Sequence, residues 1–163
     1  FNQNIGNWDV SNVISMYGMF RTANSFNQDI SSLDVGNVTD MSFMFMETNF
    51  NQDIGNWDVS NVISMYGMFS DAESFNQDIG DWNVSNVTDM SYMFYGAISF
   101  NQDIGNWDVS NVIHINSMFA EAKLFNQDLT QWCVSKLDWM ESKFFSENSS
   151  LSPENHPVWG TCP

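Results

Sequence analysis

The fourth of six near-copies in this chain reads Phe75-Asn-Gln-Asp-Ile79-Gly-Asp-Trp82-Asn-Val84-Ser-Asn-Val87-Thr-Asp-Met90-Ser-Tyr-Met93-Phe94-Tyr-Gly-Ala97. Trp82 and Val84 alternate with polar neighbours, the period of a half-buried strand. Met90, Met93, Phe94 and Ala97 fall at i, i+3, i+4 and i+7, the apolar stripe of a short helix. Each copy is therefore predicted to run strand, turn, helix, turn. The tripeptide Phe-Asn-Gln returns at Phe1, Phe26, Phe50, Phe75, Phe100 and Phe125. Self-similarity at this period predicts stacked units, each too small to bury its own apolar face alone. The expected fold class is an α/β repeat: a solenoid of about six 25-residue coils over residues 1–145, with residues 146–163 as a C-terminal cap.

Stacking turns every column of the repeat into a ladder. Trp8, Leu33, Trp57, Trp82, Trp107 and Trp132 form one predicted core ladder, and Ile5, Ile30, Ile54, Ile79, Ile104 and Leu129 a second. Phe20, Phe45, Phe69, Phe94, Phe119 and Phe144 form a third. The amides Asn2, Asn27, Asn51, Asn76, Asn101 and Asn126 are expected to satisfy backbone groups at coil corners. A finer pattern overlies these ladders: repeats one and three share Gly-Asn-Trp-Asp-Val-Ser-Asn-Val-Ile-Ser-Met-Tyr-Gly-Met-Phe, whereas two and four share Asn-Val-Thr-Asp-Met-Ser. The copying unit is thus two coils.

Hydrophobic residues make up 43% of the chain and aromatics 15%, too apolar for disorder in spite of the charge. Lys and Arg number 4 against 20 Asp and Glu, a formal net charge of -16. That field repels polyphosphate and anionic lipid and attracts cations or basic partners, which argues against nucleic acid. No apolar run is long enough to insert in a membrane. The chain opens in mid-repeat at Phe1 without an initiator Met or signal peptide, as a processed or excised piece would.

The unit Trp-x-Val-x-x-Val-x-x-Met followed by Met-Phe-x-x-Ala resembles the BspA-like leucine-rich-repeat surface proteins. The fuller pattern, Asn-Gln-Asp-Ile then Trp-Asp-Val-Ser-Asn-Val-Thr-Asp-Met-Ser-x-Met-Phe, is similar to the repeat of mycoplasma-type surface lipoproteins. The resemblance covers residues 1 to about 145. It implies a leucine-rich-repeat-like right-handed solenoid, placed outside the cell or on its surface and suspected of adhesion. It carries over no catalytic residue.

The two cysteines stand near the C-terminus. Cys133 replaces the acid or amide that the other repeats carry as Asp9, Asp34, Asp58, Asn83 and Asp108, and Cys162 lies in the Pro-rich tail. A bridge between them would pin the cap to the last coil in an oxidising compartment. A redox or metal pair is the alternative, without the neighbouring His or CxxC spacing such pairs use. The sequons Asn37-Val-Thr39, Asn83-Val-Ser85, Asn86-Val-Thr88 and Asn148-Ser-Ser150 suit the same compartment.

Twelve of the fourteen aspartates fall in three columns. Asp40, Asp89 and Asp138 precede the predicted helix and are read as its N-terminal caps. Asp29, Asp53, Asp78, Asp103 and Asp128 form an unbroken ladder of mutually repelling carboxylates. Calcium, held by oxygens, is the one cofactor such a ladder would admit; the competing expectation is that each Asp accepts hydrogen bonds from its own turn. Asp9, Asp34, Asp58, Asn83 and Asp108 with Ser11, Ser60, Ser85 and Ser110, and Ser135 in the last coil, are expected on the outer face. They make a candidate binding face for a basic or polyhydroxylated ligand, a protein or carbohydrate at a cell surface.

Catalysis finds little footing. His114 and His156 read as surface residues, neither beside a nucleophile nor in a metal motif. The expected function is a non-enzymatic binding module for adhesion or for protein or glycan interaction. The alternative is a structural spacer, or an element that self-associates end to end through its N-terminal coil.

Overall fold

The computed structural model describes residues 1–137 and 139–163. Its repeats stack in the predicted register, but the elements inside each repeat are tight turns. Ser15, Asp40, Ser64, Asp89 and His114, one from each of repeats one to five, form a ladder of four isolated parallel bridges. Among the described residues the regular helices are the four-residue α1, Trp139–Ser142, and a 3-10 turn, Pro153–Asn155. The expected α/β solenoid of strand-turn-helix coils is therefore overturned: among the described residues no sheet forms, and the first five repeats carry no helix where Met90, Met93, Phe94 and Ala97 predicted one, α1 being a single turn at that place in the sixth.

The reason lies in where the backbone N–H groups go. From Met90 to Ala97, apart from Ser91, whose N–H bonds Asp89 Oδ1, they alternate between two destinations. Met90, Tyr92, Phe94 and Gly96 donate to carbonyls of the next coil, at His114, Asn116, Met118 and Ala120. Met93, Tyr95 and Ala97 donate three residues back, to Met90, Tyr92 and Phe94. A helix would spend every donor past its first turn on its own carbonyls four residues back. Here Tyr92 and Gly96 sit at φ 58° and 64°, the left-handed region that ends a helix and re-aims every second N–H along the stack. The same pair of positions is left-handed in repeats one, two, three and five: Gly18 and Thr22, Phe43 and Glu47, Gly67 and Asp71, Ser117 and Glu121.

The predicted strand dissolves for a related reason. Trp82 N–H closes a turn onto Ile79 O at 3.1 Å, and Val87 N–H closes the next onto Val84 O at 2.9 Å. Trp82 and Val84 both point inward because they end one turn and begin another. The i, i+3 spacing of apolar residues is the spacing of turn ends, each buried, with polar residues at the turn tips.

The buried ladders form as expected over most of their length. Phe20, Phe45, Phe69, Phe94 and Phe119 stack at 5.5 to 5.6 Å between ring centroids, nearly parallel. Phe26, Phe50, Phe75, Phe100 and Phe125 run beside them, with cross-column distances of 3.9 to 4.2 Å. Two ends depart from expectation. Phe145, not Phe144, takes the sixth place in the core: Phe145 is fully buried and meets Phe119 edge-on at 88°, whereas Phe144 is 41% exposed. Trp8 is exposed because no coil lies on its outer side in this chain, while Trp57, Trp82, Trp107 and Trp132 are buried.

The C-terminal segment covers the last coil. Cys133 and Cys162 form a disulfide, and Thr161 O accepts Val134 N–H beside it. Asn155 O accepts Leu129 N–H, and Ser152 N–H bonds Asn126 Oδ1. Glu141 of α1 puts a carboxylate oxygen 2.9 Å from Ile115 N–H, where the inner coils offer a carbonyl of the next repeat.

Candidate functional site

All three acidic columns turn out to be turn initiators. In the first, Asp53, Asp78 and Asp103 accept the N–H of Gly55, Gly80 and Gly105 at 2.9 to 3.0 Å; Asp29 does the same for Ser31 and Asp128 for Thr130. In the second, Asp9, Asp58, Asn83 and Asp108 accept the N–H of Ser11, Ser60, Ser85 and Ser110, and Asp34 that of Gly36. In the third, Asp40 and Asp89 accept the N–H of Ser42 and Ser91 at 2.9 Å. The reading of Asp40 and Asp89 as helix caps is thus corrected: the bond is a cap-like bond, but the structure it starts is a turn. Asp138 lies outside the described residues. Side chains of Asp, Asn and Ser mimic a backbone turn in this way, which is why they stand at these places in every copy except at Cys133 and His114.

Glycine follows in the first column because the next coil passes close. A Cβ added at Gly80 would lie 2.7 Å from Asp103 O, and one at Gly105 2.6 Å from Asp128 O. The carboxylates themselves are exposed. A shallow recess of about 230 Å³ between two of them is lined by Asp53, Gly55, Asn56, Asp78 and Asp81. Among the described residues no group of three or more His, Cys, Asp or Glu gathers closely enough to hold a metal ion. Each carboxylate of the calcium-candidate ladder spends its Oδ1 on its own turn.

Where a hydroxyl follows the acid by two residues, the carboxylate gains further donation. Ser11 Oγ and Ser31 Oγ donate to Asp9 and Asp29, and Ser85 Oγ donates to Asn83 Oδ1 at 2.7 Å. Hydroxyl and backbone bonds hold Asp9, Asp58, Asp108 and Asp128 below the ordinary carboxylate range, and backbone then hydroxyl bonds do so for Asp29. Asp9, Asp34, Asp58, Asn83 and Asp108 of the proposed binding face therefore lie in one exposed column, each fixed in direction by its turn, with the half-buried Ser11, Ser60, Ser85 and Ser110 beside them. Ser135 sits beside the disulfide, 3.8 Å from Cys133 Sγ.

Amide ladders tie the coils together. Asn51, Asn76 and Asn101 Oδ1 accept the N–H of Asn76, Asn101 and Asn126 at 2.9 to 3.0 Å, and Gln77, Gln102 and Gln127 brace the same oxygens. The sequon residues Asn37 and Asn86 donate from Nδ2 to Ser11 O and Ser60 O, each at 2.7 Å.

Two features were not singled out in the sequence. One is a recess of about 450 Å³ lined by Asn24, Glu47, Thr48, Asn49, Asp71 and Glu73. Burial, and then the neighbouring Glu47 and Glu73, push the Asp71 carboxyl above the usual carboxylate range against a lowering contact from Ser70. Its acids come from columns that change identity from coil to coil, so only the stack brings them together. The other is an aromatic zigzag: Tyr17 and Phe43 at 5.5 Å, Phe43 and Tyr66 at 4.9 Å, Tyr66 and Tyr92 at 5.6 Å. Its signal was present in the two-coil alternation, since Tyr17-Gly18 and Tyr66-Gly67 alternate with Ser42-Phe43 and Ser91-Tyr92. A Cβ at Gly67 would fall 2.9 Å from Phe43 Cδ1, so the glycine makes room for the ring.

His114 is exposed with Nδ1 3.4 Å from Glu141 Oε1. His156 is not a plain surface residue. It packs edge-on against Phe145 with Nε2 3.2 Å from Ser146 Oγ, and burial pushes its pKa down.

The stack and its turn ladders define a repeat protein whose copies are built from tight turns. The chain belongs to the family described as "Mycoplasma protein of unknown function, DUF285", whose model matches residues 1–73 and 47–156. No curated protein and no solved structure matches it. No helix among the described residues is long and apolar enough to cross a membrane.

Proposed function

We propose that this chain is a non-enzymatic binding module, secreted or displayed at a cell surface, that engages a protein or carbohydrate partner through repeated weak contacts. The observation that carries the reading is the column Asp9, Asp34, Asp58, Asn83 and Asp108. Each member is exposed, and each has one side-chain oxygen locked in its own turn. Locking the side chain lowers the entropy lost when a partner binds. Repetition on one rigid stack makes each further contact intramolecular. Basic or polyhydroxylated ligands suit such a column, because the second oxygen of each carboxylate is an acceptor that its own turn does not use.

The Cys133–Cys162 disulfide supports an oxidising compartment, and the resemblance to BspA-like surface proteins supports adhesion as the setting. Asn83 supplies the test, since it shows that an amide makes the same turn without the charge. Replacing Asp9, Asp34, Asp58 and Asp108 together by Asn keeps the turns and removes the charges. Beads coated with the variant should lose adhesion to cultured cells at an unchanged melting temperature. Undiminished adhesion would refute this reading.

A further inference from the structure

The chain carries four sequons, and the fold uses three of them as ties between coils. Asn37 and Asn86 donate from Nδ2 to Ser11 O and Ser60 O at 2.7 Å, and their threonines, Thr39 and Thr88, donate from Oγ1 to Ile14 O and Ile63 O. In the third and fifth coils, where Ile follows two places on and there is no sequon, Asn61 and Asn111 make the same amide tie to Gly36 O and Ser85 O. In the cap, Asn148 Nδ2 bonds Glu121 Oε1 and Ser150 Oγ bonds Lys123 O. The amide and the hydroxyl of all three sequons therefore reach across to a neighbouring coil.

Asn83-Val84-Ser85 is built differently. Asn83 Oδ1 accepts Ser85 N–H at 3.2 Å and Ser85 Oγ at 2.7 Å, so the amide and hydroxyl of this sequon bond each other inside one turn. Asn83 is exposed, and its Nδ2 bonds nothing among the described residues. The same turn is made by Asp9, Asp34, Asp58 and Asp108, which have no side-chain nitrogen. What asparagine adds over aspartate at this place is an NH2 group, and the fold does not use it. A substituent on that nitrogen disturbs no bond of the stack, whereas one on Asn37, Asn86 or Asn148 competes with a tie between coils.

From these observations we infer that Asn83 is an N-glycosylation site, the sequon whose glycan the folded stack accommodates without giving up a tie. The inference rests on the secreted or surface location proposed above. The donor is a polyprenyl-diphosphate-linked oligosaccharide. Asn83 Nδ2 forms a bond to the anomeric carbon as the bond from that carbon to the diphosphate oxygen breaks; the diphosphate leaves with the electron pair, and one Nδ2 proton passes to a base of the transferase. The bulky glycan then stands between Asp58 and Asp108, which hold the same place in the coils on either side. It divides the acidic column and leaves Asp9, Asp34 and Asp58 as the unbroken run.

The test is secretion of the full chain from cultured eukaryotic cells, which supply both the compartment and the donor. Peptide N-glycosidase in heavy-oxygen water converts each glycan-bearing Asn to a labelled Asp, and peptide mass mapping reads the positions. In the secreted, disulfide-bonded chain, occupancy should be at least about fivefold higher at Asn83 than at Asn37, Asn86 or Asn148, because chains that lose a tie are retained or degraded. Asn83→Asp keeps the turn and should remove that glycan. Asp58→Asn writes Asn-Val-Ser into the same turn of the neighbouring coil and should gain a second one. A bare Asn83, or equal occupancy at Asn37 or Asn86, would overturn the inference and leave the secreted reading standing, since the host provides the compartment. An Asp58→Asn chain without the added glycan would overturn it too, because the geometry selects the position and not its flanking sequence.

Discussion

Trp82 donates its indole N–H to the carbonyl oxygen of Ile54, one coil away, at 3.1 Å. The same bond joins Trp57 to Ile30, Trp107 to Ile79 and Trp132 to Ile104. Each Trp is thus a core side chain and a coil-to-coil tie. Trp82→Phe keeps an aromatic ring but removes the donor, and Ile54 O retains only the turn bond from Trp57 N–H. A loss of about 1–2 kcal/mol in urea unfolding is expected. An unchanged midpoint would show that the bond contributes nothing net.

Asp78 separates the turn role of its column from its charge. Asp78→Asn should leave stability within about 0.5 kcal/mol, since Oδ1 can still accept Gly80 N–H. Asp78→Ala should cost about 0.5–1.5 kcal/mol by leaving that N–H without its partner. Thermal melts of the two variants side by side make the comparison. Equal losses in both would show that the charge, not the turn bond, is what the position needs.

Asp71 is the carboxyl whose ionisation the fold resists. Its folded pKa is raised, so ionisation destabilises the native state above that pKa, and the penalty disappears as the pH falls through it. Asp71→Asn should therefore raise the melting temperature at pH 7, and Asn tolerates the φ of 54° found there. The gain should shrink toward zero in acid below the raised pKa. The five depressed aspartates act with the opposite sign. Asp9, Asp29, Asp58, Asp108 and Asp128 add stability that is present above their ordinary pKa of 3.8 and is lost as the pH falls through their lowered values. Melting curves of wild type and variant from pH 7 to pH 2 would show both limbs, and a gain that persists at low pH would rule out the ionisation argument.

Cys162→Ser opens a loop with a sequence separation of 29. The chain-entropy account puts the loss at roughly 3–4 kcal/mol. Hydrogen exchange should rise first at Leu129 and Val134, whose N–H groups bond Asn155 and Thr161 of the cap. If exchange rose equally at Phe69, deep in the middle coils, the bridge would have to stabilise the stack as a whole.

Screening and specific cation binding can be separated by salt. With 20 acidic residues against 4 basic ones, added sodium chloride should raise the melting temperature by relieving repulsion. At matched ionic strength calcium and magnesium should act alike, because each ladder carboxylate is engaged in its own turn. A saturable heat with calcium alone would instead show that the ladder organises that ion.

Much of this molecule was legible in the repeat. The Phe, Ile and Trp columns enter the core because like residues at a fixed period must stack, whatever the coil's internal structure. The lone cysteine in an acid's place was a sound sign of the bridge to Cys162. The error lay inside the coil, where Met90, Met93, Phe94 and Ala97 fit a helix and a run of tight turns equally well. Glycine and aromatic residues exchanging places at Gly67 and Phe43 marked the left-handed positions, but only beside the neighbouring coil does the ring's need for that space become visible. Phe144 and Phe145 differ by one place, and which of them enters the core depends on how residues after Leu137 leave the repeat.

The sequence alone determined that copies stack, how many there are, which columns are buried and how strongly the surface is charged. Those properties follow from periodicity and composition, which do not depend on the path of the backbone. Tertiary structure decided that path. A backbone N–H can bond within its own coil or to the next, and the left-handed residues at Tyr92 and Gly96 send every second donor outward. The choice between helix and stacked turns is made by the neighbouring coil's carbonyls, and one repeat read in isolation does not contain them.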